Sequence, residues 1–261
     1  MSSVDIKVKN RIGYVTLNRP EKRNALSEKL VNSLHHGFSI MMEDPDVKVV
    51  VLQSVGDVFS AGADLKYLKK LQENSFEDNL DDSNKLKELL HFIYSFQKPV
   101  IAKVQGHAIA GGCGLATVCD FVVSADDAKF GYSEVKLGFI PALVMVFLLR
   151  KIGESHANKL LLTGDLVTAS EAHRIGLVNE VMPREEVDTY VDEMAGRIVQ
   201  QNASLSMKLT KEMIKSVPQM DLVGALNYAA KMNATARSTD ECKKGIEAFL
   251  NKEKMDWSDQ S

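Results

Sequence analysis

Residues 106–120 read Gly-His-Ala-Ile-Ala-Gly-Gly-Cys-Gly-Leu-Ala-Thr-Val-Cys-Asp, and no other stretch constrains the fold as strongly. It follows a strand-like run, Pro-Val-Ile-Ala-Lys-Val at 99–104, and passes into apolar residues 115–118 that read as a buried helix. A chain that leaves a strand, crosses glycines and enters a helix gathers unpaired backbone N–H groups and the positive end of a helix dipole at one point. Such a point holds negative charge. Glycine at 111, 112 and 114 lets a ligand lie directly against the main chain. The spacing excludes two nucleotide-binding motifs that use the same device. No Gly-Lys-Ser or Gly-Lys-Thr follows, and Gly112-Cys-Gly114 continues as Leu-Ala-Thr where a dinucleotide fingerprint needs a further glycine.

From the N-terminus, residues 5–8 and 11–17 read as two strands of a hairpin across Lys9-Asn10. Residues 18–24, Asn-Arg-Pro-Glu-Lys-Arg-Asn, form a polar turn with three cations that suits either a solvated loop or a phosphate grip. Ser27 is placed to cap an amphipathic helix running to about Met42. The valine-rich run at 47–53 suits a strand covered on both faces. At 58–65, Val-Phe-Ser-Ala-Gly-Ala-Asp-Leu makes a second strand-to-helix junction of small residues, where backbone can approach a ligand. A helix over 84–96 precedes the strand at 99–104, and residues 121–123 give another short strand. Residues 75–83, rich in Asn, Asp and Glu, read as a flexible loop. From about residue 142 the pattern is helical: 144–151, 155–162, 169–174, 184–201, 204–216, and 222–250 with breaks. Alternating strands and helices imply an α/β core, with the helical C-terminal third packed on it or extending from it.

The composition removes several functional classes. With 32 basic and 35 acidic residues, the chain carries no electrostatic footprint for nucleic acid or an anionic membrane. Cys113, Cys119 and Cys242 form no Cys-x-x-Cys pair and are odd in number, which disfavours a disulfide framework and a zinc site; no metal is expected. The N-terminal stretch Met-Ser-Ser-Val-Asp-Ile-Lys has no apolar run of signal-peptide length, and no segment reaches the roughly 18 apolar residues of a membrane span, so the expected setting is cytoplasmic.

Four local matches, in order, carry a family resemblance: Asn-Arg-Pro-Glu-Lys-Arg-Asn-Ala-Leu at 18–26, Phe-Ser-Ala-Gly-Ala-Asp-Leu at 59–65, the stretch 106–120, and Thr-Ala-Ser-Glu-Ala-His-Arg-Ile-Gly-Leu-Val-Asn at 168–179. Through them the chain resembles the crotonase superfamily, the enoyl-CoA hydratases and isomerases, over almost its full length. The resemblance implies a crotonase-like α/β spiral of ββα units over 1–195. It also implies a helical C-terminal trimerisation region over 196–261, and a homotrimer or dimer of trimers. The substrate it implies is an acyl-CoA thioester, with no cofactor beyond the coenzyme A of the substrate itself.

The same resemblance maps two backbone oxyanion donors onto Ala61 and Gly111. Lys22 and Arg23 become phosphate contacts in the turn that ends at Ala25. The adenine would lie against backbone at Ala63, Asp64 and Leu65, and Lys252 would reach coenzyme A from the C-terminal region. Removing a proton beside a thioester carbonyl places negative charge on the oxygen, and two N–H donors in a dry pocket stabilise that enolate more than the neutral substrate.

The departures from the family pattern decide the expected reaction. Hydratases of this family carry two glutamates; here the first slot is Gly114 and only the second, Glu134, is kept. Glycine transfers no proton, so syn hydration by two carboxylates is not available, whereas one carboxylate suffices to shift a double bond. The expected activity is therefore a Δ3,Δ2-enoyl-CoA isomerisation with Glu134 as acid and base. The alternatives are hydration by Glu134 with a second proton donor such as His107, and a non-catalytic acyl-CoA-binding homologue. A second departure is Ala-Leu-Val-Met-Val-Phe-Leu-Leu-Arg at 142–150, where hydratases are glycine-rich; it makes either a greasier pocket wall or ordinary core. Gly131-Tyr-Ser-Glu-Val135 lacks the second glycine of a nucleophile elbow, which disfavours a serine hydrolase. Tyr132 is expected to pack or hydrogen-bond structurally, Cys113 and Cys119 to be buried small residues, and Asp120 to be a structural carboxylate.

Overall fold

The computed structural model describes residues 2–258, and of Leu65 the backbone only. Strands β1 (Val4–Lys9) and β2 (Ile12–Leu17) form an antiparallel hairpin, and α1 (Glu28–Glu43) follows, capped by the Ser27 side chain. Three ββα units come next. The first is β3 (Val49–Ser54), β4 (Val58–Ser60), α2 (Leu65–Leu71) and α3 (Phe76–Tyr94); the second is β5 (Val100–Val104), β6 (His107–Ile109) and α4 (Gly111–Thr117). The third is β7 (Phe121–Ala125), β8 (Lys129–Gly131) and α5 (Ala142–Thr163). After β9 (Val167–Thr168), α6 (Ala169–Arg174) and β10 (Glu180–Met182), the chain ends in α7 (Val187–Gln201), α8 (Ser204–Ser216), α9 (Leu222–Ser238) and α10 (Asp240–Leu250).

Each unit sends its first strand to one sheet and its second strand to another. The larger sheet runs β1-β2-β3-β5-β7-β10 and is parallel from β2 onward; the smaller runs β4-β6-β8-β9, with β4, β6 and β8 parallel. This is the spiral of ββα units expected from the sequence. The valine run explains why the larger sheet is covered twice. Val50 and Leu52 face the main core with α1, α3 and the smaller sheet, while Val49 and Val51 face Val187, Val191, Ala195 and Val199 of α7. Alternate side chains of one strand thus enter two cores, and burying each contributes roughly 1.5–3 kcal/mol.

Two expectations change. Residues 76–83 are helical: Ser75 and Asp78 form a reciprocal capping box that starts α3, so the polar residues lie on the outer face of a helix. The core also extends past residue 195. That boundary falls inside α7, whose inward face packs on the sheet through Val199, and the outlying helices begin with α8. The helices expected at 144–151 and 155–162 both lie within α5, where they meet at a break at Gly153 with φ 74° and ψ 167°. Among the described residues no helix is long and apolar enough to cross a membrane.

Candidate active site

The smaller sheet gathers the candidate groups. Because β4, β6 and β8 are parallel neighbours, their C-terminal ends lie side by side, and each is followed by one stretch singled out from the sequence: 61–65 after β4, 110–114 after β6 and 132–134 after β8. The fit between the first two is close. A Cβ on Gly62 would stand 2.9 Å from Ala110 Cβ, and one on Gly112 would stand 2.6 Å from Ser60 Cβ, so only glycine lets these strand ends approach. Ala110 adopts φ 51° and ψ −126°, a conformation that L-residues rarely take, and its N–H donates to the Gly131 carbonyl at 2.7 Å. That turn starts α4 at Gly111, whose N–H has no hydrogen-bond partner among the described residues.

On the neighbouring segment the structure corrects one donor. The Ala61 N–H is committed to the Arg23 carbonyl at 3.0 Å. Leu26 then pairs in parallel with Ala63: the Leu26 N–H donates to the Gly62 carbonyl at 2.6 Å, and the Asp64 N–H to the Leu26 carbonyl at 2.8 Å. In a parallel bridge the central residue is passed over, so the Ala63 N–H has no partner among the described residues. The N–H free to meet an oxyanion beside Gly111 is therefore that of Ala63, two residues on from Ala61.

The turn at 18–24 is both anchored and exposed. Arg19 is bound inward, to Asp64 at 3.2 Å, to the Ala25 carbonyl at 3.1 Å and to Ser27 Oγ at 2.9 Å. Asn24 is wholly buried and was not among the expected site residues; its place in a turn of left-handed backbone is the signal that marks it. Its side chain donates to the Val55 and Val58 carbonyls and accepts from the Arg19 N–H. Lys22 and Arg23 are left exposed at the tip. Ala25 is buried, and its N–H donates to the Lys22 carbonyl at 3.0 Å. The Asp64 carboxylate caps α2 at the Lys66 N–H, and Leu65 is the first residue of that helix. Lys252 is exposed near the C-terminus, and no hydrogen bond or ion pair among the described residues joins it to this turn. Among the outlying helices, Lys211 of α8 bonds the Lys98 carbonyl and Asp120, just before β5 and β7 of the larger sheet.

Glu134 opens a short 3-10 turn, Glu134–Leu137, directly after β8. Its Oε2 is buried and has no hydrogen-bond partner among the described residues. Burial pushes its carboxyl above the usual range, and a bond to its own backbone N–H opposes this only in part. Close by, the Tyr132 hydroxyl shares a 2.6 Å hydrogen bond with Thr117 Oγ1 and is fully buried, which makes it a structural group. Cys113 and Cys119 are buried, with thiols pushed by burial up to about 11 and about 12. Asp120 bonds the Val100 N–H at 2.8 Å and pairs with Lys211, a structural role. His107 lies on the exposed face of β6. The run at 142–150 serves both of its readings: Val144 and Leu148 are core, while Met145 and Val146 are exposed, as are Leu137, Phe139 and Ile140 before them. Among the described residues no group of three metal-binding side chains occurs.

Taken together, neighbouring strand ends present two N–H groups without partners among the described residues, at Ala63 and Gly111, and one buried carboxyl, Glu134. The chain matches the enoyl-CoA hydratase/isomerase family over residues 7–260. It is 44% identical over 248 residues, 94% of this chain and 96% of the other, to a Thermus thermophilus protein that is an enoyl-CoA hydratase by name. It is 33% identical to the crotonyl-CoA hydratase of Syntrophomonas wolfei, over 98% of this chain and 97% of that one. The crystal structure of a Mycobacterium smegmatis enoyl-CoA hydratase superposes with a TM-score of 0.92 at 31% identity, covering 98% of both chains.

Proposed function

The chain belongs to the enoyl-CoA hydratase/isomerase family, and we propose that within it the protein shifts the double bond of a 3-enoyl-CoA to the 2-position. The observation that carries this reading is the single buried carboxyl of Glu134, whose Oε2 has no protein partner among the described residues. Ionised Glu134 takes a proton from C2 of the substrate, and the C–H electron pair moves toward the thioester carbonyl to form a dienolate. The enolate oxygen lies between the N–H groups of Ala63 and Gly111, each such donor contributing about 3–4 kcal/mol to the transition state. Protonated Glu134 then returns its proton to C4, the electrons close a C2–C3 double bond, and the carboxylate is restored. Proton transfer to and from carbon is the whole reaction, and coenzyme A enters only as part of the substrate.

Exposed Lys22 and Arg23 offer charge to the phosphates of coenzyme A, with Ala25 and the backbone of Ala63, Asp64 and Leu65 shaping the nucleotide side. Leu137, Phe139 and Ile140, exposed beside Glu134, suit an acyl chain. Exposed apolar residues on α8 to α10, among them Ile214, Leu222, Leu226 and Phe249, support assembly into a homotrimer or a dimer of trimers. Lys252 would then meet coenzyme A in the assembly. Buried free thiols at Cys113 and Cys119 suit a reducing, cytoplasmic setting.

A second reading, hydration of a 2-enoyl-CoA, is favoured by the names of the relatives, which are hydratases. Purified protein given 3-hexenoyl-CoA and, separately, crotonyl-CoA separates the two. Isomerised product with no hydration, lost in Glu134→Gln, supports the isomerase. Hydration of crotonyl-CoA at ordinary enzymatic rates rejects it, and tight binding of both thioesters without turnover would make the protein a binder.

A further inference from the structure

We propose that Val144 is a specificity-determining residue: its side chain fills the place that a carboxyl on residue 114 would take, and closes the site against water. The inference rests on the assignment of Glu134 as the proton carrier made above. Gly114 lies three residues after Gly111 on α4, so the two share a helix face, and a side chain at 114 would lean toward the N-terminus of α4, beside the Gly111 donor. That space is taken. A Cβ built on Gly114 would fall inside the contact radius of Val144 Cγ1 and stand 3.2 Å from Val144 Cβ. Val144 is a β-branched residue in the first turn of α5, 4% exposed and part of the main core, so its side chain has little freedom to swing aside.

The exchange of a polar slot for hydrocarbon has a chemical consequence. Hydration requires a water held at C3, whose oxygen bonds C3 while one proton goes to a base and another proton is delivered to C2. A buried water needs two to four polar partners to stay. With hydrocarbon from Val144 in the 114 slot, Glu134 Oε2 has no second carboxyl with which to share a water. The proton held by Glu134 is then shielded from solvent and returns to the substrate at C4. Val144 therefore favours double-bond transfer over water addition by denying water a seat.

The test uses 3-hexenoyl-CoA deuterated at C2, with product analysed for deuterium at C4 and for 3-hydroxyacyl-CoA. In the unaltered protein most of the label that leaves C2 is expected at C4. Val144→Thr, which keeps the shape and adds a hydroxyl, should lose most of that label to solvent while isomerising within about tenfold of the parent rate. Gly114→Glu alone should be poorly folded, and Gly114→Glu with Val144→Ala should hydrate crotonyl-CoA roughly 10²-fold faster than the parent. Label retention in folded Val144→Thr and Val144→Ala equal to the parent's, with no gain of hydration, overturns the proposal while leaving the isomerase reading intact. A parent protein that yields no isomerised product overturns that reading, and one that hydrates crotonyl-CoA as fast as the double variant overturns both.

Discussion

Asn24 reaches the Val58 carbonyl at 2.9 Å and, with the same amide nitrogen, the Val55 carbonyl at 2.9 Å, so a turn near the N-terminus is bolted to both ends of the β3–β4 connection. Its Oδ1 accepts from the Arg19 N–H at 2.8 Å, and its own backbone sits at φ 53°, which asparagine tolerates better than most residues. Those bonds hold the 61–64 segment in register with Leu26, and so fix which N–H on that segment stays free.

Asn24→Ala should therefore be strongly destabilising. It would take the partner from the part-buried Arg19 N–H and Val55 carbonyl, leave the Val58 carbonyl with only Ser54 Oγ at 3.4 Å, and force alanine into left-handed backbone, a loss on the order of 3 kcal/mol. Urea denaturation of the variant measures this directly, and a midpoint equal to that of the parent would falsify the bolting role.

The second prediction separates Ala63 from Ala61. An amide-to-ester substitution removes one N–H and leaves the side chain in place. At Ala63 it should lower kcat/KM by about 10²–10³, with a stability cost confined to the Gly62 carbonyl, which becomes a weaker ester acceptor for the Leu26 N–H, because the Ala63 N–H itself has no protein partner among the described residues. At Ala61 the same change breaks the 3.0 Å bond to the Arg23 carbonyl and should cost about 1 kcal/mol of stability with kcat nearly unchanged. The reverse pattern would return the oxyanion role to Ala61.

This pair also shows what was legible in the sequence. Local signals carried the strand-to-helix junctions, the Ser27 cap and the doubly covered valine strand, since each depends on a few adjacent residues; Glu134 was marked by the family resemblance. Which N–H remains free at 61–64 depends on the bridge from Leu26 to Ala63, a pairing between residues 37 positions apart that no local pattern encodes. Val144 opposite Gly114 is likewise a contact between α4 and α5. The helix at 76–83 was legible after all: Ser75-Phe-Glu-Asp78 is a capping sequence, and reading its charges as a loop overlooked it.

The third prediction concerns pH and Glu134. As a base Glu134 must be ionised, so kcat/KM should fall as pH drops through a limb that lies above the ordinary carboxylate range, because burial raises this carboxyl. The stability effect has the opposite sense to that of a salt-bridged acid. Since the folded-state pKa is raised, the folded protein binds the Glu134 proton more tightly than the unfolded chain does. Ionisation of Glu134 thus costs nothing below the unfolded value of about 4.3; the cost grows as pH rises toward the folded value and is constant above it. Glu134→Gln, which carries no charge, should accordingly melt higher than the parent at neutral pH, and the difference should vanish near pH 4. The same variant should lose about 10²–10⁴ of its turnover. Melting curves and turnover of both proteins from pH 4 to 8 test the two together. A variant that loses activity but melts lower than the parent at pH 7 would mean that the Glu134 carboxylate is stabilised by a partner in the folded protein, and that the base is not a desolvated carboxylate.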